Sequence, residues 1–217
     1  MPADQLIAVP YLIDFGNLEV DKIIIFFLSI LAAVTVNAEG QAMMATTLGD
    51  IQKDSKERFH FNPLSHVDIS GLLCFVIAGF GWPRAVSIES KRFKYPNVYL
   101  TLSRFAGPFA NLLLAGIAGS IVWVMSLIGV QDQVFRIVVS VNLMVFVFSF
   151  LPIPPLAGAS LFSPFFPNKR NTAAKVSLKA FPYLLVLLFV FLRFNHIEIL
   201  NNALYPVVRT VFTFITR

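Results

Sequence analysis

The chain has 217 residues, of which 57% are hydrophobic and 13% are charged, and its mean hydropathy is +0.74. An ordinary soluble domain carries about 25% charged residues, so this composition excludes a typical soluble domain. It predicts an all-α integral membrane protein with about four to five transmembrane helices in a single domain, residues 1–217. The single cysteine, Cys74, excludes an internal disulfide and a multi-cysteine metal site.

The first 21 residues are acidic and partly apolar, and they contain no lysine or arginine. A secretory signal peptide begins with a basic region, so no cleavable signal is predicted. We interpret residues 1–21 as a surface or interfacial segment.

The first membrane span is predicted from about Ile23 to Thr47. It carries Asn37, Glu39 and Gln41 at positions where a membrane helix normally has aliphatic side chains. Polar groups at that depth are costly, so they predict a functional site or hydrogen bonds between helices.

Residues 50–68 are polar and mixed in charge, and residues 83–97 are basic, with one apolar stretch between them. That stretch, Ile69–Trp82, has about 14 residues, which is short for a membrane span. It predicts a re-entrant or hairpin element that neighbouring protein segments cover. The alternation over Ala85–Glu89 predicts a short edge strand.

Further apolar runs predict the remaining spans. They are Tyr99–Ile128, Val134–Leu151 and a run from about Val176 to Phe194. The tail, Ile197–Arg217, is amphipathic and is predicted to lie in the interface or to form a fifth span. Gly116 and Gly119 predict a close approach between helices.

The distribution of basic residues predicts the topology. Residues 50–98 carry seven lysines and arginines and residues 164–179 carry four, whereas residues 1–21 and 128–133 carry none. Basic loops stay in the cytoplasm, so the N-terminus is expected outside. The net charge of +5 is explained by this topology, and no nucleic-acid partner is expected.

Several short segments occur in a fixed order between Val36 and Gly158. They are Ala42 with Leu48-Gly49-Asp50, Asn62-Pro63 with His66, Asp68 and Gly71, Gly79-Phe80-Gly81-Trp82, Ala106-Gly107-Pro108-Phe109-Ala110-Asn111, and Phe148–Gly158, which includes Pro154-Pro155. In this order they resemble the markers of the compact bacterial site-2 proteases, which are intramembrane zinc metalloproteases. The resemblance implies a site-2 protease-like core over residues 22–158, followed by a basic loop, the last span and the tail over residues 159–217. It also implies the bacterial inner membrane.

The chain differs from that family at the residues that bind zinc and carry out catalysis. The resemblance places Asn37 and Gln41 at the two zinc histidines, Ala38 at the catalytic glutamate and Ala157 at the third ligand, an aspartate. A catalytic zinc needs three protein ligands and an open position for water, and a base to take the proton. The expectation is therefore a pseudoprotease, a degenerate metalloprotease that is not an enzyme and binds no zinc.

The other marker residues are expected to hold the structure or a partner. They are Glu39, Asn62, His66, Asp68, Asn111, Pro154 and Pro155. At 100° per residue, Glu39 points about 200° from Asn37 while Gln41 points about 40° from it. Glu39 is therefore expected to face away from the vacated site.

These residues leave three functions open. The favoured one is an accessory binding subunit of a larger membrane complex, in contact with lipids and with neighbouring transmembrane subunits. The second is a protease with a non-standard site built from Glu39, Asp50, His66 or Asp68. The third is a cofactor subunit that holds a haem, a pigment or a quinone, with His60, His66 or His196 as the candidate haem or pigment ligands.

Overall fold

A computed structural model describes residues 11–51, 59, 61–165, 172–195 and 204–217, with the backbone alone for 163–165 and 172–179. Its regular elements are α1 (Val20–Thr47), α2 (Pro63–His66), α3 (Ile69–Ala78), α4 (Pro96–Leu127), α5 (Val134–Phe148), α6 (Thr172–Phe194) and α7 (Tyr205–Ile215), with 3-10 helices at Ser90–Arg92 and Ala157–Phe165. The described part is therefore all-helical, as the composition predicts.

Helices α1 and α4 have the length and composition of membrane spans. They contain 28 and 32 residues, and an 18-residue stretch within each has a mean hydropathy of 2.0 and 1.8, respectively. At 1.5 Å per residue, each is longer than the roughly 30 Å of hydrocarbon in a bilayer. The other apolar helices in the described ranges are shorter, so the predicted count of four to five spans is not confirmed. The two long helices indicate membrane association.

The core lies where α1, α4 and α5 pack together. Phe26 and Ile30 of α1 are buried against Ile137 and Val141 of α5. A second apolar cluster joins α3, α5, α6 and α7, and in it the rings of Phe80 and Phe148 stack with centroids 3.7 Å apart. The polar part of α1 is thereby held against two helices.

Glycines let α1 and α4 cross closely. A Cβ added at Gly40 would lie 2.9 Å from the Cβ of Ala110, and one added at Gly107 would lie 2.7 Å from the backbone oxygen of Asn37. Of the pair predicted for close approach, Gly119 does meet α7, at the Ile215 oxygen, whereas no atom of the described residues lies within 4 Å of a Cβ added at Gly116. The close approach is therefore seen at Gly119 and stays a prediction at Gly116.

The predicted hairpin is not confirmed, and the predicted strand at Ala85–Glu89 is wrong. The described residues contain one isolated antiparallel bridge, between Val67 and Pro83. Arg84 N–H donates to the His66 oxygen at 2.7 Å, and Glu89 N–H donates to an Asp50 carboxylate oxygen at 3.0 Å. A strand needs a ladder of partners, and here a loop carbonyl and a side chain take their place.

The described end of the tail is a short amphipathic helix. Helix α7 has 11 residues and buries Val208 and Phe212 while Phe214 is exposed. At 1.5 Å per residue it is too short to span a bilayer. The fifth span is therefore not confirmed, and residues 196–203 lie outside the described ranges.

The close crossing gives a first test. We expect Gly107→Ala to lower the free energy of unfolding by about 1–3 kcal/mol, because the added methyl group overpacks the contact with Asn37. Gly116→Ala on the same helix is the matched control. It is expected to be neutral or to stabilise by up to about 1 kcal/mol, since alanine favours helix and the site is open.

The measurement is reversible denaturation of the purified protein in detergent micelles, followed by circular dichroism. Equal effects of the two substitutions would contradict the crossing described above.

Candidate binding site

The polar side chains of α1 belong to a network of amides. Gln41 and Asn37 are four residues apart on one face of α1, and Gln41 Nε2 donates to Asn37 Oδ1 at 2.7 Å. Asn37 Nδ2 then donates to Asn111 Oδ1 of α4 at 2.6 Å. All three side chains are buried, so these bonds satisfy amide groups that are largely removed from water.

The network extends from Arg104 of α4 at one end to Asn142 of α5 at the other. Asn111 Nδ2 donates to Asn142 Oδ1 at 2.8 Å and to the Ala33 carbonyl at 2.9 Å. At the other end, an Nη1–H of Arg104 donates to Gln41 Oε1 at 2.8 Å. Each amide thus donates in the same direction, away from Arg104, and the chain of bonds ties three helices together.

A cavity of about 440 Å³ opens beside the Arg104 end of this network. It is lined by residues of α1, of the segment after α3, of α4 and of the turn after α5: Asn37, Gln41, Trp82, Pro83, Arg84, Ala85, Ile88, Ser90, Leu100, Arg104, Pro108, Ser149, Pro154, Pro155, Leu156, Ala157, Ala159 and Ser160. The structure therefore brings Asn37 and Gln41 to the same cavity as Pro154, Pro155 and Ala157. The peptide bond between the two prolines is cis.

The lining of the cavity is positively charged. Arg84 and Arg104 contribute two guanidinium groups, and no aspartate, glutamate, histidine or cysteine is among the lining residues that the structure describes. Arg84 is exposed and Arg104 is partly buried. The cavity therefore favours anionic or neutral polar ligands over cations.

This donor set does not fit a catalytic zinc ion. Zinc takes imidazole, thiolate or carboxylate ligands, whereas Asn37 and Gln41 offer amides that already bond to each other, to Asn111 and to Arg104. Ala157 has no ligand atom, and a guanidinium at the cavity wall repels a dication. Within the described residues, no group of three or more histidines, cysteines or carboxylates lies together.

Glu39 pairs with His66 away from the cavity. Glu39 Oε1 lies 3.1 Å from His66 Nε2, and both side chains are buried. The second oxygen of Glu39 is buried and has no hydrogen-bond partner among the described residues. Neither residue lines the cavity, so this pair links α1 to α2 rather than extending the site.

The remaining acidic and marker residues hold loop structure. Asn62 Oδ1 accepts the Leu64 N–H at 3.2 Å, and Asp68 Oδ1 accepts the Gly71 N–H at 3.0 Å, so the two residues cap α2 and α3. Asp50 is fully buried and accepts the Glu89 N–H.

The two alternative sites stay predictions. None of Glu39, Asp50, His66 and Asp68 lines the cavity described above, although Glu39 and His66 contact each other. His60 and His196 lie outside the described residues, so the haem or pigment site predicted at those histidines stays a prediction.

Sequence reasoning named Asn111 as a structural or partner residue, but it missed Arg104 and Asn142, which complete the network. Arg104 and Asn111 are seven positions apart, which places them on one face of a helix, and Asn142 is a buried amide in a mostly apolar helix. That spacing was a usable signal for a polar face on α4. It did not indicate that α1 would supply the partner.

Comparison with known proteins gives one informative match. A protein of Bacillus subtilis (strain 168) named "Putative zinc metalloprotease YwhC" is 32% identical over 140 residues, which are 60% of this chain and 64% of that protein. The chain thus spans less than two thirds of the relative's length. No family model matches the sequence, and no solved structure matches it. The match relates this chain to a metalloprotease.

This comparison corrects one prediction. The sequence departures led us to expect a degenerate metalloprotease that is not an enzyme. That expectation is wrong on the present comparison, because a relative named as a zinc metalloprotease points to a protease.

The amide network gives a second test. We expect Asn111→Ala to cost about 1–3 kcal/mol of unfolding free energy, because it leaves buried amides of α1 and α5 without partners. Ser120→Ala is the control on the same helix. The Ser120 hydroxyl is exposed and donates to the Gly116 carbonyl at 2.9 Å, so its loss should change stability by less than about 0.5 kcal/mol.

A double-mutant cycle separates the network from simple loss of volume. Asn37→Ala and Asn111→Ala should be non-additive, with a coupling energy of about 0.6–2 kcal/mol in denaturation experiments. Strictly additive costs would mean that the two side chains do not act together.

Proposed function

We propose that this chain is a membrane-embedded relative of the site-2 type of metalloprotease whose cavity binds an extended segment of another membrane polypeptide. The observation that carries the proposal is the cavity itself. Two of its walls, around Trp82–Ala85 and Pro154–Ala157, are not α-helical, and they face two long apolar helices. Non-helical walls of this kind suit an extended ligand, which binds by main-chain contacts and by small side-chain pockets.

The size and lining of the cavity support a peptide segment as the ligand. A volume of about 440 Å³ is in the usual range for ligand pockets. The lining combines apolar groups such as Ile88, Leu100 and Leu156 with polar ones such as Ser90 and Ser160. Such a mixed lining holds a few residues of a chain and selects among their side chains.

The surroundings support partners within a membrane. Large apolar side chains on α4 are exposed, among them Leu113 at 69% and Ile117 at 62%. In the proposal this face contacts lipids or neighbouring transmembrane subunits of an assembly in the bacterial inner membrane. The N-terminus is then outside and the basic loops are cytoplasmic.

Zinc is not expected at this site, and its content gives a third test. We expect the purified protein to carry substoichiometric zinc by elemental analysis, because the lining offers amides and guanidinium groups instead of zinc ligands. The combined substitutions Asn37→His, Gln41→His and Ala157→Asp should raise the content towards about one zinc per chain, since two histidines at i and i+4 share a helix face.

The pair Asn37→His and Gln41→His without the change at Ala157 is the matched control, and it should retain less zinc after dialysis against a chelator. Tightly held zinc in the wild-type protein would contradict the assignment of this donor set.

Hydrolysis of the bound segment is the second candidate function, and the metalloprotease relative favours it. The buried Glu39–His66 pair is a carboxylate beside an imidazole, the type of group that moves protons in hydrolysis. The pair does not line the cavity. Whether hydrolysis occurs is therefore tested directly, on the polypeptide segment that cross-linking in the cavity identifies.

A fourth test uses a photo-activated cross-linking amino acid at Ala85 in the cavity and, as control, at Leu113 on the exposed face of α4. We expect Ala85 to capture one contiguous segment of a single polypeptide in membranes, mapped by mass spectrometry, and Leu113 to capture lipid or other chains. Filling the cavity with Ala159→Phe should abolish the capture at Ala85.

Capture of lipid alone at Ala85, or capture that survives Ala159→Phe, would contradict the proposal. Incubating the mapped segment with the wild-type protein and with Glu39→Gln then separates the two candidates. Cleavage that Glu39→Gln removes supports hydrolysis, and an intact bound segment supports binding alone.

A further inference from the structure

The positive charge of the cavity has no counter-charge in the described part of the chain. Arg104 makes its hydrogen bond to Gln41, which is a neutral amide. Across the ranges that the structure describes, no carboxylate lies within 4.0 Å of the guanidinium groups of Arg104 or Arg84. Burying a cation without a paired anion costs desolvation free energy, so binding of an anionic ligand beside Arg104 would be favourable.

The described carboxylates near the site contact other groups. Glu39 lies against His66, and Asp68 caps α3. Glu89 accepts a hydrogen bond from the Nε–H of Arg92 at 2.5 Å. None of these acidic side chains lines the cavity. Among the described residues, the two arginines are therefore the charged groups that line the cavity.

We infer that the Arg104 end of the cavity binds a carboxylate of the bound polypeptide, supplied by an acidic side chain or by a chain terminus. This inference rests on the function proposed above and adds the chemical class of segment that the cavity selects. A guanidinium has five N–H donors in a planar fork that matches a carboxylate. One bond to Gln41 fixes the orientation of the fork and leaves donors for the ligand.

The location of Arg104 explains why the charge selects its ligand instead of attracting anions in general. The side chain is partly buried, and Gln41, its hydrogen-bond partner, is held in turn by Asn37 and the rest of the amide network. A preorganised, partly desolvated donor gains more from an anion than an exposed arginine does. Arg84 at the exposed rim adds long-range attraction.

Trp82 provides a direct readout of the cavity. The chain has two tryptophans, and Trp82 lines the cavity whereas Trp123 lies on α4 and is 45% exposed. In a Trp123→Phe background, 4-bromobenzoate and 4-bromobenzamide are titrated against Trp82 fluorescence in detergent micelles. The two probes have the same ring and heavy atom and differ in the carboxylate.

We expect bromobenzoate to quench at a concentration at least about tenfold lower than bromobenzamide, as a charge-assisted bond predicts. Arg104→Gln should bring the ratio close to one, and Arg104→Lys, which keeps the charge, should retain part of it. Arg209→Gln, exposed on α7 and outside the cavity, should leave the ratio unchanged. The reverse reporter, Trp123 in a Trp82→Phe background, measures partition of the probes into the micelle.

Equal quenching by both probes, or quenching by neither, overturns the inference. A phosphonate analogue that binds more than about tenfold tighter than bromobenzoate also overturns it and assigns the site to a phosphate group, such as a lipid headgroup. Peptides of the cross-linked segment, with Glu→Gln changes or an amidated terminus, then distinguish the two sources of the carboxylate.

The two proposals fail separately. Capture of a polypeptide at Ala85 without any Arg104-dependent preference for the carboxylate probe removes the inference and keeps the proposed function. An Arg104-dependent preference without polypeptide capture removes the proposed function and with it the polypeptide as the source of the carboxylate.

Discussion

The close crossing of α1 and α4 is the contact on which the rest of the structure depends. Gly40 and Gly107 remove the side chains that would separate the two helices, so Asn37 reaches Asn111 directly. In an apolar environment an amide without a partner is costly, and the crossing provides that partner. Close packing at the two glycines and the hydrogen bond between Asn37 and Asn111 therefore both stabilise the α1–α4 crossing.

The same contact determines the chemistry of the cavity. Because Gln41 is held by Asn37, its oxygen is presented to Arg104, and the guanidinium is fixed at the cavity wall. The cavity thus joins a cation to a set of neutral amides. The sequence relation points to a metalloprotease, while the side chains at this cavity provide a different set of donors.

Local features were predicted well from the sequence because their causes are local. The apolar runs correctly predicted the long helices α1 and α4, whereas the further predicted spans are not confirmed within the described residues. The residues Asn62 and Asp68 cap the helices that follow them, a role that depends on the next three residues alone. The strand at Ala85–Glu89 failed because alternation predicts a strand only where a neighbouring strand exists to pair with it.

The sequence by itself determined that α1 carries two amides on one face, four residues apart, and that α4 carries Arg104 and Asn111 on one face. Only the tertiary structure decided that these faces meet, across 74 positions from Asn37 to Asn111. The reason is physical: helical periodicity defines which side chains share a face, whereas the choice of neighbour depends on which faces pack closely. Gly40 and Gly107 allow α1 and α4 to pack closely. The turn at Pro154–Pro155 then forms one wall of the cavity beside them.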